Sequence, residues 1–332
     1  MEWYYIVLIC AGGLVLLLFA LALFAYSVAF GSRCDKNPLL TYFTAEHFAL
    51  NATPVQVSKG KYELRGNIYT KDGAEGKNTL IVFCHGMGPG HSAYMTEINY
   101  FCEKGYTVLA LDNRGCDLSG GKSIKGMYSG VQTAKAAIDF ARSEEQFKGF
   151  KFCLAGHSWG GYSALCASAE RKVDGVVALS APVTPVKTIY NGACAVMPKF
   201  IAALMCPFIA VADFLRFGNK SNKNAAKCAQ KSGVPVLLIH GDKDTVVPLK
   251  YSAYGHAKGA NITKYSAEGK SHNPYNTPEA QAMMIELSEN LSKLRKMSEE
   301  EKGYFKQFDY VAATQEDETV MGTIYEFIEN IK

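Results

Sequence analysis

From Trp3 to Phe30 the chain reads WYYIVLICAGGLVLLLFALALFAYSVAF, with no charged side chain. About 20 apolar residues cross the hydrocarbon core of a bilayer, so this run can span one with some tilt. A cleaved signal peptide would need a basic leader and a shorter apolar stretch, and only Met1 and Glu2 precede this one. A soluble helix that is apolar on every face has few places to bury itself. The pattern predicts a single-pass membrane anchor over 1–32, then an irregular tether over 33–55 containing Pro38 and Pro54.

Beyond the tether, short apolar runs alternate with amphipathic stretches. VQVSKGKYELRGNIYT (55–70) predicts an antiparallel hairpin, and TLIVFCHG (79–86) a strand buried on both faces. A helix around AYMTEINYFCEKG and the strand YTVLALD follow, then the helix YSGVQTAKAAIDFARSEE and the strand KFCLAG. VDGVVALSAP, VPVLLIHGD and the weaker NITKYSA complete the strands. This βαβα rhythm predicts an α/β domain over 56–332, a mostly parallel sheet with helices on both faces. About 183–232 breaks the rhythm where a short link would suffice. It holds MPKFIAALMCPFIAVADFLRF, so a helical cap insertion is expected there. TVMGTIYEFIENI near the C-terminus predicts a helix docked on the body.

Composition narrows the function classes. A 48% hydrophobic, 20% charged chain of 332 residues builds a sizeable core. Net charge +4 without a Lys/Arg run argues against a nucleic-acid partner. Ten cysteines lack CxxC pairs or metal-like spacing, so neither a disulfide framework nor a metal is expected. Several lie within apolar runs and suit a reducing compartment.

LAGHSWGG (154–161) places Ser158 between a strand-like and a helix-like segment. Gly156, Gly160 and Gly161 remove side chains that would collide at a sharp turn, which would lift the hydroxyl off the sheet edge. The free amides of the following helix can receive an oxyanion, with the Trp159 N–H as the natural donor. A serine needs a base. Of seven histidines, His272 in AEGKSHNPYN lies in a loop just after the last strand, where an imidazole can swing over the sheet edge. LLIHGDKDTVVP supplies an acid at the C-terminal end of a buried strand. Asp244 and Asp242 compete for that place; Asp244 is the choice, to orient His272, leaving Asp242 to cap the turn or the next helix. RGCDLSGGKS nearly spells a phosphate-binding loop but carries Cys116 where glycine is required.

The order Ser158, Asp244, His272 is that of the α/β-hydrolase arrangement. HGMGPG (85–90), DNRGCDLSGG (112–121), GHSWGG (156–161), HGDKDTVVP (240–248) and SHNP resemble that superfamily. They are most similar to its monoacylglycerol-lipase and serine-aminopeptidase-like group, over roughly 60–296. The family often has glycine at Cys116. The resemblance implies an α/β-hydrolase fold, a second oxyanion donor at the Met87 amide, and no cofactor. The expected activity is ester hydrolysis on a small-molecule or lipid substrate, at a membrane entered through the N-terminal helix. Alternatives are an aminopeptidase, for which Asp213 is the only acid in the cap to hold a free amine, a thioesterase or acyltransferase on the same triad, or a silent scaffold. Arg33 and Lys36 directly after the span predict a cytoplasmic catalytic domain.

Overall fold

The computed structural model describes residues 2–331; Met1 and Lys332 lie outside the described residues. Eight strands form one sheet in the order β1-β2-β4-β3-β5-β6-β7-β8. β1 (Leu50–Lys59) and β2 (Tyr62–Lys71) are the antiparallel hairpin, and β2 pairs antiparallel with β4 (Thr107–Leu111). β3 (Thr79–Cys84), β4, β5 (Lys151–His157), β6 (Gly175–Leu179), β7 (Val236–Gly241) and β8 (Ile262–Ala267) run parallel. This is the α/β-hydrolase fold.

The central strands are buried at almost every position, and mostly apolar, because both faces are covered. In β3, Leu80 and Val82 enter the core on one side of the sheet, while Ile81 and Phe83 enter the core on the other. The hairpin begins at Leu50, five residues before the sequence pattern suggests. Most of β1 is exposed, so its first half carries no alternation to read. Pro54 is tolerated there because the outer side of an edge strand needs no N–H.

α1 (Trp3–Phe30) is one continuous helix. Leu18, Ala22, Tyr26 and Phe30, spaced by four, are buried on the body, and the residues before Leu18 are exposed. α2 (Met95–Glu103) covers one face of the sheet; α3 (Tyr128–Ser143) and α4 (Trp159–Ser168) cover the other. Between β6 and β7 the insertion forms α5 (Pro185–Ala193), α6 (Lys199–Phe217) and α7 (Ala225–Ser232). α8 (Ala253–His256), α9 (Pro278–Lys293), α10 (Tyr304–Gln307), α11 (Tyr310–Ala313) and α12 (Glu318–Glu329) complete the chain.

α1 rests on α6. The Tyr26 hydroxyl donates to Asp213 Oδ1 at 2.5 Å, the Arg216 guanidinium lies 4.2 Å from the Tyr26 ring centre, and Phe19 meets Phe208 at 6.1 Å. The segment after α1 is docked rather than free. Arg33 Nη1 and Nη2 donate to the carbonyls of Gly121 (2.6 Å) and Asp117 (2.8 Å), and Cys34 N donates to Gly115 O (2.9 Å). Those acceptors belong to the loop leaving the C-terminal end of β4, so the helix joins the body at the sheet edge that also carries Ser158.

α12 packs Val320, Met321, Ile324 and Ile328 into the core on the α2 face. Its N-cap, Asp317, accepts from the buried Lys270 Nζ at 2.6 Å, and Asp317 N donates to Tyr275 O at 2.7 Å. The C-terminal segment thereby clamps the loop that carries His272.

Candidate active site

Ser158 is the single residue between β5 and α4, with φ 55° and ψ −118°. A side-chain-bearing residue rarely adopts that conformation, which costs about 1–3 kcal/mol. Its surroundings enforce it. Ser158 N donates to Leu179 O at 2.8 Å, and Ser158 O accepts from Tyr162 N at 3.0 Å. A Cβ on Gly160 would overlap the Cys84 carbonyl oxygen, and one on Gly156 would sit 2.6 Å from Gly160 C and O. The strand-to-helix turn closes only with glycine at both places.

The structure brings Ser158, His272 and Asp244 together. His272 Nε2 lies 3.0 Å from Ser158 Oγ, and His272 Nδ1 lies 2.9 Å from Asp244 Oδ2. With Nδ1 protonated, the ring donates to the carboxylate and leaves Nε2 free to accept the serine proton. Asp244 Oδ1 accepts from Val246 N (2.9 Å) and Val247 N (2.8 Å), so both oxygens are satisfied. Burial by itself would raise the Asp244 carboxyl; the hydrogen bond and charge of His272 outweigh it and hold it below its usual range. Asp242 is exposed, and its carboxylate lies 3.6 Å from Lys243 Nζ.

Met87 follows the end of β3 and Trp159 opens α4. Cys84 and Gly156 are register partners, and each amide lies three residues beyond its partner position. Both N–H groups thus follow the C-terminal ends of neighbouring parallel strands. Neither donates to a protein acceptor among the described residues. The Met87 turn is pinned from behind. His85 Nδ1 donates to Gly86 O (2.7 Å), His85 Nε2 accepts from Asn113 N (2.8 Å), and Gly86 N donates to the Tyr94 hydroxyl (3.1 Å).

His157, next to the serine in sequence, makes no bond to it but ties the site together. Tyr94 Oη lies 3.0 Å from His157 Nδ1, and His157 Nε2 donates to the His272 carbonyl at 2.9 Å. A chain of hydrogen bonds thus runs from the Gly86 amide through Tyr94 and His157 to the backbone of His272. Ser271 N, next door, donates to Gln281 Oε1 at 2.7 Å. Tyr94, Gln281 and Lys270 carry no motif. The only sequence signal was a histidine inside an otherwise apolar strand end.

An open groove beside His272 is lined by Thr245, Val246, Asn273, Met284 and Ile285. α5 of the insertion reaches the acid loop, where Asn191 Nδ2 donates to Val246 O at 3.1 Å. Asp213 is sealed: its other oxygen accepts from Asn222 N at 2.6 Å, and no part of the residue is exposed. It cannot hold a substrate amine. No cluster of metal-ligating side chains occurs among the described residues.

The model of a family described as serine aminopeptidase, S33, matches residues 76–211. A monoacylglycerol lipase of Mycolicibacterium smegmatis is 24% identical over 247 residues, 63% of this chain and 86% of that protein. The uncharacterized protein YfhR of Escherichia coli O157:H7 is 26% identical over 182 residues, 54% of this chain and 57% of its own length. Among solved structures, the Pyrococcus furiosus esterase Pf2001 superimposes with a TM-score of 0.57 at 20% identity, covering 80% of this chain and 98% of the esterase. The α/β hydrolase GrgF of Penicillium gives 0.50 at 17% identity, covering 72% and 97%.

Burial drives the His157 imidazole down to about 3, and the neighbouring His272 pushes the same way. It is neutral in the fold, as its accepting Nδ1 requires. A base depressed by folding contributes stability that is complete above the unfolded value of 6.5 and is lost as pH falls toward about 3. The difference in Tm between wild type and His157→Gln should therefore narrow from about pH 7 to about pH 4. A difference that stays constant across a thermal-unfolding series would show that His157 is not held neutral.

Proposed function

We propose that the chain is an S33-type member of the α/β-hydrolase superfamily and a membrane-anchored serine hydrolase cleaving carboxylic esters with lipophilic acyl chains. The observation that carries this is the continuous hydrogen-bonded line from Ser158 Oγ through His272 to a buried, doubly capped Asp244.

Ser158 Oγ attacks the ester carbonyl carbon while its proton passes to His272 Nε2. The carbonyl oxygen becomes the oxyanion and takes hydrogen bonds from the Met87 and Trp159 amides. As the tetrahedral carbon re-forms its carbonyl, the bond to the leaving oxygen breaks and His272 returns the proton to it. Water then attacks the acyl-serine by the same route in reverse. Asp244 fixes the tautomer of His272 and stabilises its charged form.

The ester preference rests on the apolar groove wall of Val246, Met284 and Ile285 and on the sealing of Asp213, which removes the acid that an aminopeptidase would need in the cap. The relative named monoacylglycerol lipase is consistent with a lipophilic ester. An anchor at 1–32 and a cap at about 183–232 are part of the same proposal; the expected tether of 33–55 shortens to 33–49 and the hydrolase domain starts at 50 rather than 56, because β1 of its sheet begins at Leu50.

Asp244→Asn should lower kcat/KM on medium-chain p-nitrophenyl esters by about 10⁴-fold, through loss of the working tautomer. Asp242→Asn should change it little. His272→Ala should cost nearly as much as Ser158→Ala, because the three groups act as one unit. Reversed effects at the two aspartates would move the acid to Asp242.

Arg33 and Lys36 directly after α1 favour a cytoplasmic catalytic domain. Protease added to intact cells should then leave the domain whole until the membrane is opened. Digestion without disruption would place it outside.

A further inference from the structure

α1 is packed in a way that a simple tail anchor would not require. Only Trp3–Leu17 stand clear of the body, since Leu18, Ala22, Tyr26 and Phe30 are buried against it. Those 15 residues rise about 22 Å, against a hydrocarbon core of about 30 Å. The free part of the helix falls short by about 8 Å, so a spanning α1 draws part of the body into the apolar layer.

The element it would draw in is α6. Phe19 meets Phe208, and Tyr26 meets Asp213 and Arg216, so the two helices run side by side in the same direction. α6 has two unlike faces. Ala202, Met205, Ile209, Ala212 and Asp213 are buried. Phe200, Leu204, Val211, Phe214 and Leu215 are all exposed, Phe200 and Leu215 at 68%. At 100° per residue these five fall within an arc of about 100°. Ala203 and Pro207 fall within or beside it, so the arc carries no polar side chain. No charge occurs between Lys199 and Asp213. Asp213, the one acid of the helix, points inward with both oxygens occupied by Tyr26 and Asn222. The segment leading into α6, Cys194–Pro198, is apolar as well, with Val196 82% exposed. Lys199 is the exception, and its long stem can carry the ammonium to the headgroup layer.

We propose that the outward face of α6 lies in the lipid of the bilayer beside α1, so that the cap, and with it the sheet edge carrying Ser158, is set into the membrane surface. This rests on the reading of α1 as an anchor. The occupant is lipid because α6 packs beside α1, whose exposed side chains are likewise apolar, and because the missing depth falls within the 5–10 Å to which interfacial helices sink. A substrate ester dissolved in the leaflet would then meet the cap without crossing water.

The test uses the full chain reconstituted in phosphatidylcholine vesicles with bromine on the acyl chains, which quenches tryptophan on contact. Trp3 reports on α1, while Trp159 is buried in the core. Leu204→Trp and, separately, Phe200→Trp add a reporter at exposed positions of α6 that do not hold the fold. Val311→Trp, exposed on α11, is the control outside the bilayer. The expected result is that the α6 reporters lose most of their added emission to brominated lipid and resist aqueous acrylamide, while the Val311→Trp emission does the opposite. Quenching of Trp3 with α6 reporters open to acrylamide would overturn the proposal and leave the anchor standing. If Trp3 also escaped the bromine, the anchor reading would fall, and this proposal with it.

Discussion

The conformation of Ser158 is the constraint on which the rest depends. A residue with a side chain is held at φ 55° and ψ −118° where β5 turns into α4. The energetic cost is offset only because the turn is over-determined: the serine N–H is bound by β6, its carbonyl by α4, and Gly160 lies against the Cys84 carbonyl with no room for a side chain. The same close contact draws the end of β3 toward the serine.

A rigid turn would achieve little if the base and acid wandered. The His272 loop is irregular and emerges after the edge strand β8, where packing alone would leave it loose. Four ties replace packing. His157 holds the His272 carbonyl, Gln281 holds the Ser271 amide, Lys270 bonds to Asp317, and Tyr275 accepts from the Asp317 amide. Two of the four come from the C-terminal segment. The neutral state of His157 belongs to the same logic. A charged ring could not accept from Tyr94, and the link between the Met87 turn and the His272 loop would break.

Much of this was legible in the sequence because periodicity reports burial. The solid runs TLIVFCHG and VPVLLIHGD are central strands, and the polar break after each marks the edge where Ser158, Asp244 and His272 meet. Glycines at 156, 160 and 161 announced a close approach before any neighbour was known. The first half of β1 was illegible because an exposed edge strand buries too little to leave a pattern. The docking of Arg33 on the loop at 117–121 and the bond from Lys270 to Asp317 join residues 47 or more positions apart through single polar contacts, which no periodicity records. α1 reads as uniformly apolar, so nothing distinguishes the four positions buried on the body from those that are not.

The most direct measurement is the site of covalent capture. The folded chain is treated with a fluorophosphonate, digested, and its peptides are mapped by mass spectrometry. The account predicts one adduct, on the Ser158 hydroxyl, lost when the protein is unfolded beforehand because only the folded turn activates that oxygen. An adduct on another residue, or none in folded protein that still hydrolyses esters, would contradict it.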